Sequence, residues 1–428
     1  MSVYKERLDC AGVFRANLVP DYMNVSNTHY LGASCFIVFG ALLAPSLAKA
    51  EAWQVRPSVM LEERYNDNFT LDSTSPVSSI ESLLRGSLAF TRLTESSEVS
   101  GRLHAGVQSY YFSDEFHTSN NQYVTFYSLK KLELSQWKFD STFRRDSTTR
   151  SFNSTQDITQ DSVDGIGDVD EGFVSVELKR NTFRLNPGWN YQVDERSNLS
   201  MDYQFTGAFY ENNRQGTELY DYNQHSLSLG YSRSLSEREG VGTTASFSRY
   251  SAADNENISI DSQTLKVGYW NSFSETTKGS ISLGLRRSAG EDDVSDFDQL
   301  GYIFRLKLKY KTELNQISGT IVHDLEPSGS GTLYESTQLG LDVSRAIRPR
   351  LSAALNSSVY TNDSIDSSSS DRWYYLSISS SLNWQMTRWW TVGGGLMYRV
   401  RERIESPDDA DSKIIFLTVR YSKGIDID

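Results

Sequence analysis

Arg305, Lys307 and Lys309 stand two residues apart, and Lys311 continues the run. In an extended strand this spacing puts all of them on one face. Like charges stacked in this way repel unless an acidic wall or an anionic ligand opposes them. Arg286 lies in the segment before and Lys266 in the one before that; Arg399 and Arg401 repeat the pattern later, and Arg102 shares a polar face with His104. Turned toward a water-filled lumen, such a set favours anions or acidic sugars. The competing reading pairs the cations with acids of the same wall, for which Asp140, Asp202, Asp261 and Asp342 are the candidates.

Other chemistry is thinner. Beyond the leader there are four histidines, His104, His117, His225 and His323. The sequence His117-Thr118-Ser119-Asn120 faintly resembles the His/Ser/Asn grouping of outer-membrane phospholipases, but it has the composition of an ordinary solvated turn. His225 and His323 stand alone, and no His/Asp/Glu spacing suggests a metal or a nucleophile–base pair. The expectation is no catalytic residue, no metal and no cofactor. Two acidic clusters are conspicuous. One comprises Glu291, Asp292, Asp293, Asp296 and Asp298. The other comprises Asp157, Asp161, Asp164, Asp168, Asp170 and Glu171. They read as solvated loops, with divalent cations shared with lipopolysaccharide as the alternative.

The elements that must position these residues are strands. In 371–386, DRWYYLSISSSLNWQM, the even positions are Tyr, Leu, Ile, Ser, Leu, Trp and Met, while the odd positions are mostly small and polar. One greasy face and one wet face over so long a run suits a strand that crosses a bilayer at a tilt. The pattern recurs in eighteen candidate strands from 54–64 to 411–423, about 21 residues per strand and connection, as in a membrane barrel. Leu227, Leu229 and Tyr231 share a face, as do Leu265, Val267 and Tyr269, and Tyr302, Phe304, Leu306, Leu308 and Tyr310. Burying the opposite faces in a soluble core would strand many charges, which is costly. That argues against a soluble sandwich or solenoid. Connections alternate between tight turns, such as 94–98 and 194–197, and longer acidic loops, such as 66–77, 149–171 and 362–370. Short turns are then periplasmic and long loops extracellular.

Residues 1–50 read as a leader. The run 31–47 is short and apolar, and Ala48-Lys49-Ala50 follows as an A-x-A cleavage site. The polar stretch before it is long, so Met23 is a candidate start. A transmembrane anchor and a lipoprotein at Cys35 are the alternatives. Cys10 and Cys35 are the two cysteines, so residues 51–428 have no thiol for a disulfide or a metal. A net charge of −13 argues against nucleic acid. With 24 tyrosines and 8 prolines, composition suits long ladders with aromatic girdles.

The opening of the barrel segment, PSVMLEERYNDNFTL at 57–71, resembles the putative beta-barrel porin 2 family; Glu62, Tyr65, Asn66, Asp67, Asn68 and Phe69 carry the likeness. The resemblance implies an outer-membrane barrel of the kind often encoded beside exopolysaccharide or capsule systems, and hence a port for secreted polysaccharide. Ile415, Leu417, Val419 and Tyr421 resemble the C-terminal insertion signal of such barrels, although 422–428 follow the aromatic.

The expected architecture is all-β: a single antiparallel transmembrane barrel of about eighteen strands at 51–428, in the outer membrane of a Gram-negative bacterium. The expected role is a channel, either for polysaccharide export or as a general or anion-preferring porin, with a barrel-embedded lipid hydrolase a distant third. Expected partners are outer-membrane lipid and lipopolysaccharide, the barrel assembly machinery, and periplasmic or inner-membrane polysaccharide proteins. The loop 149–171 is expected to fold inward and narrow the lumen, its acids facing the basic strand.

Overall fold

The computed structural model describes residues 53–111, 118–148, 178–211, 219–253, 258–291, 296–329, 333–365, 372–403 and 409–427. The leader therefore lies outside the described residues, as does the 149–171 loop. The strands are β1 (Trp53–Asn66), β2 (Ser79–Leu93), β3 (Ser97–Tyr111), β4 (Ser119–Lys131), β5 (Ser135–Ser147), β6 (Lys179–Gln192), β7 (Ser197–Glu211), β8 (Asp221–Ser234), β9 (Glu239–Ala253), β10 (Ser259–Ser272), β11 (Thr277–Glu291), β12 (Asp296–Lys311), β13 (Asn315–Pro327), β14 (Leu333–Arg348), β15 (Leu351–Ser364), β16 (Trp373–Gln385), β17 (Trp390–Arg403), β18 (Ala410–Ser422) and the short β19 (Ile425–Ile427). Each of the eighteen long strands pairs antiparallel with its sequence neighbours, β1 pairs with both β2 and β18, and β19 pairs with β1. The sheet is a closed barrel of eighteen long strands. Closure removes the open edges that lipid would not tolerate.

Alternation decides which residues face out. On β12 the outward positions are Leu300, Tyr302, Phe304, Leu306, Leu308 and Tyr310; their ladder partners on β11 include Leu285, Leu283 and Ile281. Leu285 is 72% exposed and Leu300 80%, which in water would be a serious liability. Across ten residues of tilted strand this makes an apolar band about 25 Å tall, the height of a hydrocarbon core as seen by such barrels. The same face of β16 carries Ile378, Leu382 and Trp384, all exposed, while Tyr375, Ser377 and Ser379 are buried on the other side. Ion pairs sit on the outward face just above the band: Arg287–Asp298 at 2.6 Å and Arg249–Asp261 at 2.6 Å. Asp261 thus faces outward and does not belong to the lumen acids. Its register beside Gln263 and Leu265 puts it on the lipid-side face, at the polar rim.

The two ends of the wall are stitched at the outer rim by the short Asn/Asp run after β1. Asp67 accepts the Lys413 N–H at 2.6 Å. Asn68 donates to the Asp411 and Asp72 carbonyls at 3.0 and 2.9 Å, and Asn66 accepts from the Ser412 hydroxyl at 2.7 Å. These polar side chains therefore close the seam between β1 and β18. At the other rim, Ile425–Ile427 pair with Trp53–Val55, so the residues after Tyr421 extend the closure instead of leaving the wall. That rim carries tight reversals, such as Thr94 N–H to Ser97 O and Leu132 N–H to Ser135 O, both at 2.8 Å.

Candidate functional site: the pore wall and its outer mouth

Tyr250 on β9 fixes which face is the lumen. Its hydroxyl donates to the Ser328 carbonyl at 2.7 Å, beyond the end of β13, and only the barrel interior connects those two places. Thr244 is on the same face of β9, and the ladder runs from it through Lys266 to Gly284 and Ile303. Lys266, Arg286, Arg305, Lys307 and Lys309 therefore share the inner face. Arg305, Lys307 and Lys309 are flanked by Ser282, Ser280 and Lys278 on β11 and by Val322, Thr320 and Ser318 on β13. The serine and threonine neighbours leave room for the long side chains of Arg305 and Lys307. Lys278 joins the column beside Lys309, a position found from register alone. Arg305 and Lys309 are exposed to lumen water, and among the described residues no ion pair involves them or Lys266.

Arg399 and Arg401 are arranged differently. Arg399 is fully buried and Arg401 nearly so, within a polar belt at the outer end of the lumen. Arg399 donates to Ser412 at 3.2 Å, and Arg401 lies 5.0 Å from the centre of the Trp373 ring. The same belt holds Arg64–Glu62 at 2.6 Å, Arg64–Glu81 at 3.9 Å and Gln108 donating to Glu81 at 2.8 Å. These charges are knit into the wall by mutual pairing, as buried charges must be. Arg102 lies half-buried on the inner face with His104. His225 and His323 are not isolated. His225 shares a 2.6 Å hydrogen bond with the Tyr203 hydroxyl, and His323 bonds Thr337 at 2.8 Å and Glu335 at 3.1 Å. The partners lie on neighbouring strands, so sequence spacing could not show them.

The outer mouth is crossed from one side. β13 ends at Pro327, and the turn after it reaches over the lumen to β7, β8 and β9. Besides the Tyr250 bond, the Tyr220 N–H donates to Gly329 O at 2.7 Å. A side chain at Gly329 would run into the Tyr210 phenol, so this approach needs glycine. Beneath it an apolar cluster packs Tyr210, Tyr222, Tyr250, Ala252 and Ile260 against Leu333 and Ile365 from the far side. A second plug comes from the segment after β1. Leu71, Tyr375 and Ala410 are buried together, with Tyr360 alongside.

A closed barrel with an apolar outside, a charged inside and long connections on one rim has one physical home. This is an outer-membrane β-barrel. No family model matches the sequence, and no curated protein does. Several solved structures are similar in outline. Acinetobacter baumannii OccAB4 aligns over 89% of this chain and 100% of its own, with TM-score 0.46 and 8% identity. Pseudomonas aeruginosa OccK9 (OpdG) aligns over 87% and 98%, with TM-score 0.46 and 9% identity. A BenF-like porin from Pseudomonas fluorescens Pf-5 aligns over 87% and 99%, with TM-score 0.46 and 8% identity. At such values the likeness is one of barrel outline, and the solute has to be argued from the barrel's own lumen. Among the described residues no cluster of His, Cys, Asp or Glu is placed to hold a metal. Asp157, Asp161, Asp164, Asp168 and Asp170 lie outside the described residues, and so does His117.

Proposed function

We propose that this barrel is a passive channel for small water-soluble solutes with a preference for anions. The observation that carries the reading is the inner-face column of Lys266, Arg305, Lys307, Lys309 and Lys278, aligned by register on three adjacent strands. A single-sign column in a low-dielectric shell attracts counter-ions into the pore and raises their local concentration. Asp342 on β14 is an inner-face acid in the row of Lys309, one strand beyond Ser318, and Asp324 shares the inner face of β13 beyond Val322. These acids offset the two ends of the column, and Lys266, Arg305 and Lys309, which make no ion pair among the described residues, face a mobile anion.

Export of a polymer is the reading that the porin 2 resemblance implies. The mouth argues against it, because the turn at Ser328 and Gly329 and the apolar cluster beneath it narrow the exit. A narrowed, polar-lined mouth suits small solutes passing one at a time. The hydrolase alternative rests on His117, which is outside the described residues.

Replacing Arg305, Lys307 and Lys309 together by Gln tests the reading in planar bilayers. Under a salt gradient the reversal potential should move toward cations. An unmoved potential in a correctly folded variant rules out the column as the selectivity element. Secreted polysaccharide unchanged in a deletion strain is also expected, whereas its loss would restore the export reading. Deleting 156–170 tests whether that loop narrows the lumen: a several-fold rise in conductance places it inside, and an unchanged value places it outside.

A further inference from the structure

The wall of the barrel is incomplete between β12 and β13. β12 is laddered to β11 over its whole length, from Asp296 to Tyr310. It is laddered to β13 only from Phe304 to Lys311. Above Phe304 the outer end of β13 continues to pair with β14, up to Pro327 and Leu333, but it leaves β12 and leans over the lumen toward β9. The β12 edge from Asp296 to Ile303 therefore has no strand beside it among the described residues. The lower part of this edge lies within the apolar band, since Tyr302 is level with Leu285 and Leu265, while Leu300 stands beside Arg287 at the band's upper rim. An unladdered strand edge facing lipid costs several kcal/mol per polar group. Such a seam is unlike any other junction of this wall.

Side chains hold the seam instead of backbone. Arg286 extends from the inner face of β11 across Gly301, where any Cβ would collide with its guanidinium. It meets Glu335 of β14 at 3.3 Å, and the same carboxylate oxygen is shared with His323 Nε2 at 3.1 Å. Tyr302 stacks on His323 with ring centres 4.3 Å apart. Arg286 is only 2% exposed, yet its Nε and Nη1 have no hydrogen-bond partner among the described residues. A buried guanidinium with unused donors is expensive, and an anion is what it binds best. On the outward face an apolar trough lined by Leu229, Phe247, Leu265, Leu285 and Leu300 crosses β8 to β11 and reaches β12 at the edge of the seam.

We infer that the β12–β13 seam is a binding site for a single-chain amphiphile with an anionic head, carboxylate or phosphate, whose head meets Arg286 and whose tail lies in the outer trough. The unladdered edge from Leu300 at the rim to Ile303 within the band spans about 10 Å at the usual strand rise of about 3.3 Å per residue, enough to lie along part of one acyl chain. An anionic head also accepts from the N–H groups of the bare β12 edge. The site is separate from the basic column and does not depend on the channel reading.

The test uses the folded barrel in detergent with Leu300→Cys labelled by bimane, since residues 51–428 contain no cysteine. The probes are 5-doxylstearate, its uncharged methyl ester, dodecyl phosphate and butyrate. Doxylstearate should quench the label saturably, at concentrations at least tenfold below those of the ester. Arg286→Gln should abolish that difference, and Arg286→Lys should keep most of it. Butyrate should not compete. Competition by dodecyl phosphate shows a site for anionic heads in general, and its failure shows a carboxylate site. Should Arg286→Gln not fold, Glu335→Gln carries the test, because removing the neighbouring carboxylate should tighten doxylstearate binding several-fold. Equal quenching by acid and ester, or an acid preference that survives Arg286→Gln or is unmoved by Glu335→Gln, would overturn the assignment.

Discussion

Leu71 sits in the left-handed region at φ 51° and is fully buried against Tyr375 and Ala410. A residue with a Cβ pays about 1–2 kcal/mol for that conformation, and burial of the leucine side chain offsets it. Two truncations separate the effects. Leu71→Ala loses the packing and keeps the strain, whereas Leu71→Gly loses the packing and relieves the strain. The glycine variant should therefore be the more stable of the two by about 1 kcal/mol, read from unfolding midpoints in urea. A less stable glycine variant would show that the strain is not real. The neighbouring Asp72 carboxyl is held below the usual carboxylate range, chiefly by the Thr74 N–H and then by the Thr74 hydroxyl and Ser75 N–H. A depressed carboxylate contributes stability above its unfolded value, lost as pH falls through its folded one. The plug around Leu71 should accordingly loosen only below the ordinary carboxylate range. Conductance noise should rise on acidification there, and Asp72→Asn should show that noise already at neutral pH.

Among the elements, the outer end of the β13–β14 hairpin behaves differently from every other pair. Ser328 and Gly329, just past β13, are held over the mouth by the Tyr250 hydroxyl on Ser328 and by the Tyr220 N–H on Gly329. Tyr250→Phe keeps the ring in its cluster and deletes one hydrogen bond, a loss of about 1 kcal/mol. This stretch should then leave its closed position roughly five times more often, visible as faster flicker between conductance levels. Unchanged flicker would mean that apolar packing alone holds it. Replacing 328–332 by a shorter glycine turn should raise mean conductance without altering the heat-shifted band in electrophoresis. The alternation that predicts strands also predicted this hairpin, with segments near 313–326 and 332–347. Its inward lean was not legible, because nothing in a two-residue period tells where a strand leaves its neighbour.

At the scale of the molecule, the barrel holds because every long strand finds a partner on each side and the first finds the last. Circular dichroism in detergent should be dominated by β structure, and the folded band should shift on heating. Asn68→Ala removes donors and an acceptor that tie the β1 end to Asp72 and Asp411. It should lower the heat-shift temperature, with a stability loss of about 1–3 kcal/mol. Substituting Asn198, an exposed residue at the start of β7 on the other rim, should have little effect. A helical product, or one soluble without detergent, would contradict the whole architecture.

The sequence by itself determined the strand period, the lipid-facing side of the strands with clear alternation, such as 302–310 and 374–386, and the even strand count, because a two-residue alternation in polarity has one stable solution in a bilayer. It also determined that Arg305, Lys307 and Lys309 share a face. It misplaced Asp261, because at the rim of the band outward positions turn polar and alternation no longer distinguishes the faces. It placed Arg399 and Arg401 with the water-facing cations, because inner-face position says nothing of depth or of what folds over it. Only the tertiary structure decided that those arginines are buried, that Lys278 stands beside Lys309, and that Glu335 and His323 meet Arg286. Those facts depend on register between strands and on a hairpin that leaves the wall. Both are set by contacts between residues far apart in the chain, which local patterning does not encode.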